Sequence, residues 1–515
     1  APWATCVRLS PPGPPRFRPT RPPWRSPRFR LDCPAMRLQV LLLALTHFAV
    51  FVAVTLRVLA RRNPPGVSMA WILMVLLVPI GGLVLYVMIG ERRLGRRWIE
   101  RAEAERAALS RRFARLAVDA VLDPADTGPV GEPVARLAQS LGAIPVMRGH
   151  HVELLADGDR ILRTLIDDVD ACRERCSLEF YIWHEGGLVD DLIAALIRAA
   201  GRGVKVVALM DGLGSRPFVQ RGRAIAAMRR AGIEVVVVLP VSALRMAVAR
   251  ADLRNHRKIA VFDDRIAWTG SFNLADPRHF KRDAGVGQWV DAMVRIQGPT
   301  SLVLGALSNA MAVLQSGPRL RDEREADRDH VAGPVSLQAY PSGPGFAFQH
   351  VESVILTAIY AARRELILTT PYFAPGESVV TALRSAARRG VDVVLVLPWQ
   401  CDSRLVQHAS AAYFDELLSA GVKIRRFHGG LLHTKSMVID RELSVFGTVN
   451  FDLRSFHLNF ELSMLIYDRP FAEVLLALQR RYLEDCEPLE LAAWRARPFW
   501  RRMVENAAQL ASPVL

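Results

Sequence analysis

The sequence predicts an α/β protein. An N-terminal two-helix transmembrane hairpin is followed by two duplicated α/β/α sandwich halves with the active site between them. Three observations predict this. Two long apolar stretches stand near the N-terminus, at residues 38–59 and 67–89. From about Ile144 strand-like and helix-like patterns alternate. A long polar motif then occurs twice, in matching surroundings.

Composition sets the frame. A chain of 515 residues exceeds an ordinary single domain, so two or more are expected. Hydrophobic residues make up 51%, enough for a large core and membrane spans besides. The net charge of +16 points to an anionic partner: nucleic acid, phospholipid headgroups or phosphorylated substrates. The six cysteines, Cys6, Cys33, Cys172, Cys176, Cys401 and Cys486, show no C-x-x-C pattern. Free thiols without a disulfide framework are expected.

Residues 1–35 are Pro/Arg-rich and lack apolar periodicity, which predicts disorder. Met36 stands directly before the first apolar run, so this segment reads as an over-extended start, with a basic membrane-surface arm as the competing reading. Residues 36–97 form the expected hairpin anchor, since crossing a bilayer takes about 20 residues. The short connector at 61–66 puts both ends on one side. Arg92, Arg93, Arg96 and Arg97 after the second span place the termini and the large domain in the cytoplasm. Arg57, Arg61 and Arg62 weigh the other way.

Residues 98–142 read as a charged helical linker. The first half spans 143–318 and the second 335–488, with a charged linker at 319–334 between them. Residues 489–515 form a basic, aromatic tail. In the first half, strands are expected near 178–183, 204–210 and 233–239, with helices at 190–201 and 224–231. In the second, strands are expected near 366–373, 391–397 and 422–427, with helices at 378–388 and 413–419. The phrases A-A-G-R-G-V-K-V-V (199–207) and A-A-R-R-G-V-D-V-V (386–394) are nearly the same, which marks an internal duplication.

The chemistry sits in the repeated motif. The first copy reads His256-Arg-Lys258, then Asp263, Gly270-Ser271 and Asn273. The second reads His433-Thr-Lys435, then Asp440, Gly447-Thr448 and Asn450, at a shift of 177 residues (433 less 256). Two lysines and two asparagines converging on one phosphodiester supply charge and oriented donors. A neutral imidazole can attack phosphorus, and a protonated one can donate to the leaving alkoxide. No metal and no cofactor are called for, because the lysines supply the positive charge a metal would bring. Strand alternation puts Asp263 and Asp440 on the opposite face from His and Lys, as ion-pairing supports.

This duplicated H-x-K-x4-D-x6-G-[ST]-x-N pattern resembles the signature of the phospholipase D superfamily. The resemblance covers roughly residues 144–487. It implies that an acid beyond the second motif, Glu461, orients a catalytic imidazole. In the first copy the matching position is Ala284, so Asp291, which opens the next strand, is the substitute, with Asp283 as rival. The family more often uses the first-copy histidine as nucleophile, which implies His256 as nucleophile and His433 as acid/base. His150, His151, His184 and His457 lack a partner pattern and read as core or surface residues, although His184 could line the cleft. Tyr372 is a further candidate for the rim.

The wording of the anchor (Asn63-Pro64-Pro65, Ala70-Trp71, Pro79-Ile80-Gly81, Gly90) is similar to that of bacterial cardiolipin synthases. So are Arg454-Ser455-Phe456 with 458–461, and the terminal residues 512–515. The resemblance implies phosphatidyl transfer between two phosphatidylglycerol molecules, giving cardiolipin and glycerol at a membrane. Gly270-Ser271 stands where Gly-Gly is common in the family, which leaves phosphatidylethanolamine as donor, or another acceptor alcohol, open. A phospholipase D-type hydrolase and a membrane-anchored nuclease are the alternatives. Neither repeat carries a nucleic-acid module or an aromatic–basic stacking stretch, so nucleic acid is not an expected partner. In the tail, Trp494 to Arg502 mixes aromatics with arginines, fitting headgroup contact or a packed amphipathic helix equally.

Overall fold

The computed structural model describes residues 34–61, 65–90, 96–113, 120–142, 144–241, 250, 252–317, 332–344 and 351–512. The Pro/Arg-rich segment through residue 33 and most of the charged linker, 318–331, lie outside the described residues. Two units are distinguished, Ala1–Gly90 and Glu91–Leu515.

In the first unit, the helix Pro34–Leu59 contains one continuous stretch, Leu38–Leu59, long and apolar enough to cross a membrane. The second apolar stretch is not one helix. It is divided into Pro65–Leu77 and Pro79–Leu85, followed by a π-helical turn at Tyr86–Gly90. The break falls at Val78, whose φ of −128° and ψ of 77° are not helical. Pro79 causes it, because proline drives the residue before it out of the helical region. Of the expected two-helix hairpin, one helix is unbroken and the second apolar stretch is divided. Trp71 meets Tyr86 edge-on at 5.5 Å, and Val54, Val58 and Val75 join Tyr86 in a small apolar cluster.

The second unit is built on one 16-stranded sheet. The first half contributes β1 (Val146–Leu155), β2 (Arg175–Phe180), β3 (Lys205–Asp211), β4 (Glu234–Val238), β5 (Lys258–Phe262), β6 (Ile266–Gly270) and β7 (Met293–Gln297). Their spatial order is β4-β3-β2-β5-β6-β7-β1. The second contributes β8 (Val335–Ser342), β9 (Glu365–Thr369), β10 (Asp392–Pro398), β11 (Lys423–Phe427), β12 (Ser436–Ile439), β13 (Leu443–Gly447) and β14 (Glu461–Ile466). These follow the same order, β11-β10-β9-β12-β13-β14-β8. Antiparallel pairing of β1 with β8 fuses the halves. The short strands Val121–Leu122 and Cys486–Pro488 complete the sheet.

Within each half three strands run parallel, β2-β3-β4 and β9-β10-β11. Parallel neighbours need a crossover, and helices supply it. The helices Leu188–Gly201 and Glu377–Arg388 carry the repeated phrase into β3 and β10. The phrase ends the helix the same way each time. Gly203 (φ 89°) and Gly390 (φ 90°) take the left-handed turn that a side chain resists. Val204 N–H then reaches Ala199 O, and Val391 N–H reaches Ala386 O, both at 3.1 Å.

The sheet is covered on both faces, which explains why its strands read as continuous apolar runs rather than alternating ones. On one face lie the helices Thr300–Ser316 and Arg469–Glu484, in a core that crosses the junction between the halves. On the other, each half has its own core. The segment expected to be a linker belongs to this framework. The helix Gly128–Gly142 buries Val130, Val134 and Ala138 in the second half's core. Trp98, on the helix Arg96–Phe113, packs against Phe460 at 5.5 Å.

Candidate active site

Each H-x-K segment leads into a central strand of its own half, but its backbone is held by the other half. His256 N–H donates to Phe460 O, and Phe460 N–H donates to Arg254 O, both at 2.9 Å. Reciprocally, His433 N–H donates to Val290 O at 2.8 Å, and Leu431–Leu432 pairs with Trp289–Val290. The two copies are thus joined through the segments that carry the motif.

The acids cross in the same way. Nδ1 of His256 lies 2.9 Å from the Glu461 carboxylate, and Nδ1 of His433 lies 2.6 Å from Oδ1 of Asp291. Asp291 therefore occupies the position in the first half that Glu461 occupies in the second. Its rival Asp283 is exposed in a short 3-10 turn. Each lysine turns its ammonium back on its own motif. Lys258 Nζ donates to His256 O at 2.8 Å, and Lys435 Nζ to His433 O at 2.6 Å.

The Gly-[Ser/Thr] pair has a role that sequence reasoning left unassigned. A Cβ at Gly447 would stand 2.2 Å from Leu462 O, and one at Gly270 would stand 2.4 Å from Ala292 O. Glycine lets neighbouring strands close up there. The next residue then holds the acid. Thr448 Oγ1 donates to Glu461 at 2.5 Å and accepts from Leu462 N–H at 2.9 Å. Ser271 Oγ accepts from Ala292 N–H at 3.0 Å, donates to Ala292 O at 3.2 Å, and helps keep Asp291 low. Asn459 Nδ2 gives Glu461 a further donor at 3.1 Å. The signal was visible as a hydroxyl after glycine in both copies, but its partner was not.

Asp263 and Asp440 were expected to be ion-paired supports, and that expectation is corrected. Each sits in a left-handed turn just past its strand, with φ of 52°. Asp263 accepts backbone N–H bonds from Arg173, Glu174 and Arg175 at 2.8–2.9 Å. Asp440 accepts them from Arg363, Arg364 and Glu365 at 2.8–2.9 Å. The ion pair with Arg175 belongs to the neighbouring Asp264. A short carboxylate is favoured here because it can take several converging amides from a loop.

His256, His433, Asn273 and Asn450 line one cleft of about 710 Å³. Asn273 Oδ1 accepts from Ile182 N–H at 3.3 Å, whereas the buried Oδ1 of Asn450 has no partner among the described residues. His184 and Tyr372 also line the cleft. Sequence reasoning missed Tyr181, whose ring meets His256 at 5.0 Å, and Trp289, whose ring meets His433 at 4.4 Å. It also missed Asp402, which accepts from Tyr372 Oη at 2.7 Å and pairs with Lys281 at 2.8 Å. His150 lies outside the cleft, fully buried between Val335 O and Thr300 N–H.

Burial dominates the electrostatics. It lowers His256 and His433 to about 4, with the orienting acids opposing the shift and the lysines reinforcing it. Burial likewise lowers Lys258 to about 8 and Lys435 well below the usual lysine value. Glu461 and Asp291 lie low because the imidazoles and lysines outweigh their burial. Near neutral pH both imidazoles are therefore neutral, set between carboxylates and lysines. An entering phosphodiester anion offsets the lysine charge and raises the proton affinity of both rings. Such a site can attack phosphorus with one ring nitrogen and move a proton with the other.

A duplicated α/β/α sandwich with an H-x-K segment from each half in one cleft defines a phospholipase D-like protein. Residues 165–292 and 355–481 each match the family described as "Cardiolipin synthase, PLD-like domain", and residues 48–91 match "Phospholipase_D-nuclease N-terminal". Cardiolipin synthase A of Klebsiella pneumoniae (strain 342) is 40% identical over 478 residues, 92% of this chain and 98% of that protein. Cardiolipin synthase A of Yersinia pseudotuberculosis serotype O:1b (strain IP 31758) is 40% identical over 473 residues, 91% of this chain and 97% of that protein. The crystal structure of phosphatidylserine synthase from Haemophilus influenzae Rd KW20 superposes with a TM-score of 0.56 at 14% identity, covering 74% of this chain and all of that one, a likeness of fold alone. The chain belongs to the cardiolipin synthase family of the phospholipase D superfamily.

Proposed function

We propose that the protein transfers a phosphatidyl group from one phosphatidylglycerol to another, giving cardiolipin and glycerol through a phosphatidyl-histidine. The observation that carries this reading is the crossed pair of imidazole–carboxylate contacts in one cleft. Nδ1 of each ring is occupied by an acid, so Nε2 is the nitrogen available for chemistry. Nε2 of His256 attacks phosphorus, forming a P–N bond as the P–O bond to glycerol breaks. His433, protonated once the anion is bound, gives its proton to the departing glycerol oxygen. It then takes the proton from the terminal hydroxyl of a second phosphatidylglycerol. That oxygen attacks phosphorus, the P–N bond breaks, and cardiolipin leaves. His256 is the more accessible ring, 8% exposed against 2% for His433, which supports its assignment as nucleophile.

Lys258, Lys435, Asn273 and Asn450 hold the non-bridging oxygens, with Glu461 and Asp291 fixing the rings. The chemistry draws on the diester bond itself and needs neither cofactor nor metal. The apolar N-terminal helix supports reaction at a membrane, where lipid alcohol outcompetes water. Arg92, Arg93, Arg96 and Arg97 support a multi-pass anchor in the bacterial inner membrane with the large domain cytoplasmic. The test is purified protein in detergent–lipid micelles with phosphatidylglycerol. Cardiolipin and glycerol in equal amounts, with or without EDTA, are expected. Phosphatidic acid alone would show a hydrolase, and DNA cleavage without lipid product a nuclease.

A further inference from the structure

A second cavity, of about 410 Å³, lies outside the catalytic cleft. The helices Leu491–Arg495 and Phe499–Gln509 line one side, and the helix Arg404–Ala411 the other. Leu397, Phe414 and Val504 give it apolar walls, and Arg426, Arg497 and Arg501 bring three guanidinium groups. Glu505, the one carboxylate among the described lining residues, is already neutralised by Arg497 at 2.7 Å.

Two donors here lack an acceptor. Among the described residues, the indole N–H of Trp494, a residue only 8% exposed, has no hydrogen-bond partner, and neither has Nε of Arg497. Leaving a buried donor unpaired is costly, so these groups favour an acceptor nearby. On the helix Phe499–Gln509, Phe499, Trp500 and Met503 are more than half exposed (68%, 60% and 52%), and Trp500 lines the cavity. Arg501 stands over the Trp500 ring and Arg502 over the Phe499 ring. Exposed aromatics interleaved with arginines on one helix match the headgroup layer of an anionic membrane.

We propose that this cavity binds an anionic phospholipid distinct from those undergoing transfer. Its phosphate is held by the guanidinium groups of Arg426, Arg497 and Arg501, and its acyl chains leave past Val504 and Trp500. The proposal does not rest on the transfer chemistry. The cavity does share a wall with the cleft. Pro371 and Cys401 face the cavity, with Cys401 Sγ 3.4 Å from Pro371 O, while their neighbours Tyr372 and Asp402 face the cleft.

The test uses the full chain with His256→Ala, so that no probe is consumed, in phosphatidylcholine nanodiscs. A phosphatidylglycerol with a photoreactive acyl chain is added, and adducts are mapped by peptide mass spectrometry. Adducts are expected within residues 407–414 or 491–509, beside those in the cleft. Unlabelled phosphatidylglycerol should compete for them, and phosphatidylcholine and inorganic phosphate should not. Val504→Glu, at a half-exposed residue, should cut these adducts about tenfold while cleft adducts persist. Arg501→Gln, on the exposed face, gives a second readout in the same direction. Absence of adducts in these segments, indifference to both substitutions, or equal competition by phosphatidylcholine or inorganic phosphate would each overturn the proposal.

Discussion

Glu461 of the second half holds Nδ1 of His256 of the first half at 2.9 Å. Its counterpart Asp291 holds His433 in the opposite direction at 2.6 Å. The two halves therefore do not each own a site. Each supplies an imidazole and the carboxylate that aims its partner's imidazole.

Glu461→Gln and Asp291→Asn should each lower kcat by roughly 10²–10⁴-fold, the range for a positioned acid/base group. KM for lipid should change little, because neither acid carries the positive charge that grips phosphate. Steady-state kinetics on folded protein checks the split. A large rise in KM with kcat preserved would contradict it.

Thr448→Val should weaken both structure and rate. It removes the hydroxyl donor to Glu461 and leaves the buried Leu462 N–H without its acceptor. The stability loss should be about 1–3 kcal/mol, read by thermal unfolding in detergent. Thr448→Ser should restore most of the loss.

Asp440→Ala should act chiefly through stability. The carboxylate takes backbone amides of residues 363–365 and lies away from the cleft. Unfolding should shift down by several degrees, while turnover per folded molecule falls far less than in His433→Ala. Equal losses of turnover would place Asp440 in the chemistry.

Acid should destabilise the fold before the carboxylates titrate. Burial lowers His150, His256 and His433 from 6.5 to about 4 in the folded state. Such rings bind protons more readily in the unfolded chain. Their contribution is full above about pH 6.5 and is lost as pH falls towards 4, at up to about 1.4 kcal/mol per pH unit for each ring. Melting curves from pH 8 to 5 should show the decline starting near 6.5. In His150→Asn the slope should flatten. A flat profile down to pH 5 in the unsubstituted protein would contradict the assignment.

Much of the fold was legible because duplication repeats its own evidence. The phrase ending at Gly203 and again at Gly390 marked the same helix stop and strand start twice. The strands were legible as apolar runs because both sheet faces are covered. What escaped were relations between distant segments. Nothing local to Glu461 or His256 reveals that they belong together, 205 residues apart. The backbone amides that hold Asp263 and Asp440 have no sequence signature, since any residue can donate them. The helix Gly128–Gly142 reads as a charged linker until its Val130, Val134 and Ala138 stripe meets the second half's core. The break at Val78 was announced by Pro79, whose effect on the second span was underestimated.

The central claim is a lipid carried on histidine between two halves of one site. The most direct measurement is to incubate His433→Ala with a phosphatidyl p-nitrophenol labelled in the phosphatidyl group, whose leaving group departs without a proton from His433, then quench and map any label on the chain. The account predicts stable label on His256, no cardiolipin, and no label in His256→Ala. Label on His433 in the His256→Ala protein, or cardiolipin formed by either variant without any enzyme-linked lipid, would contradict it.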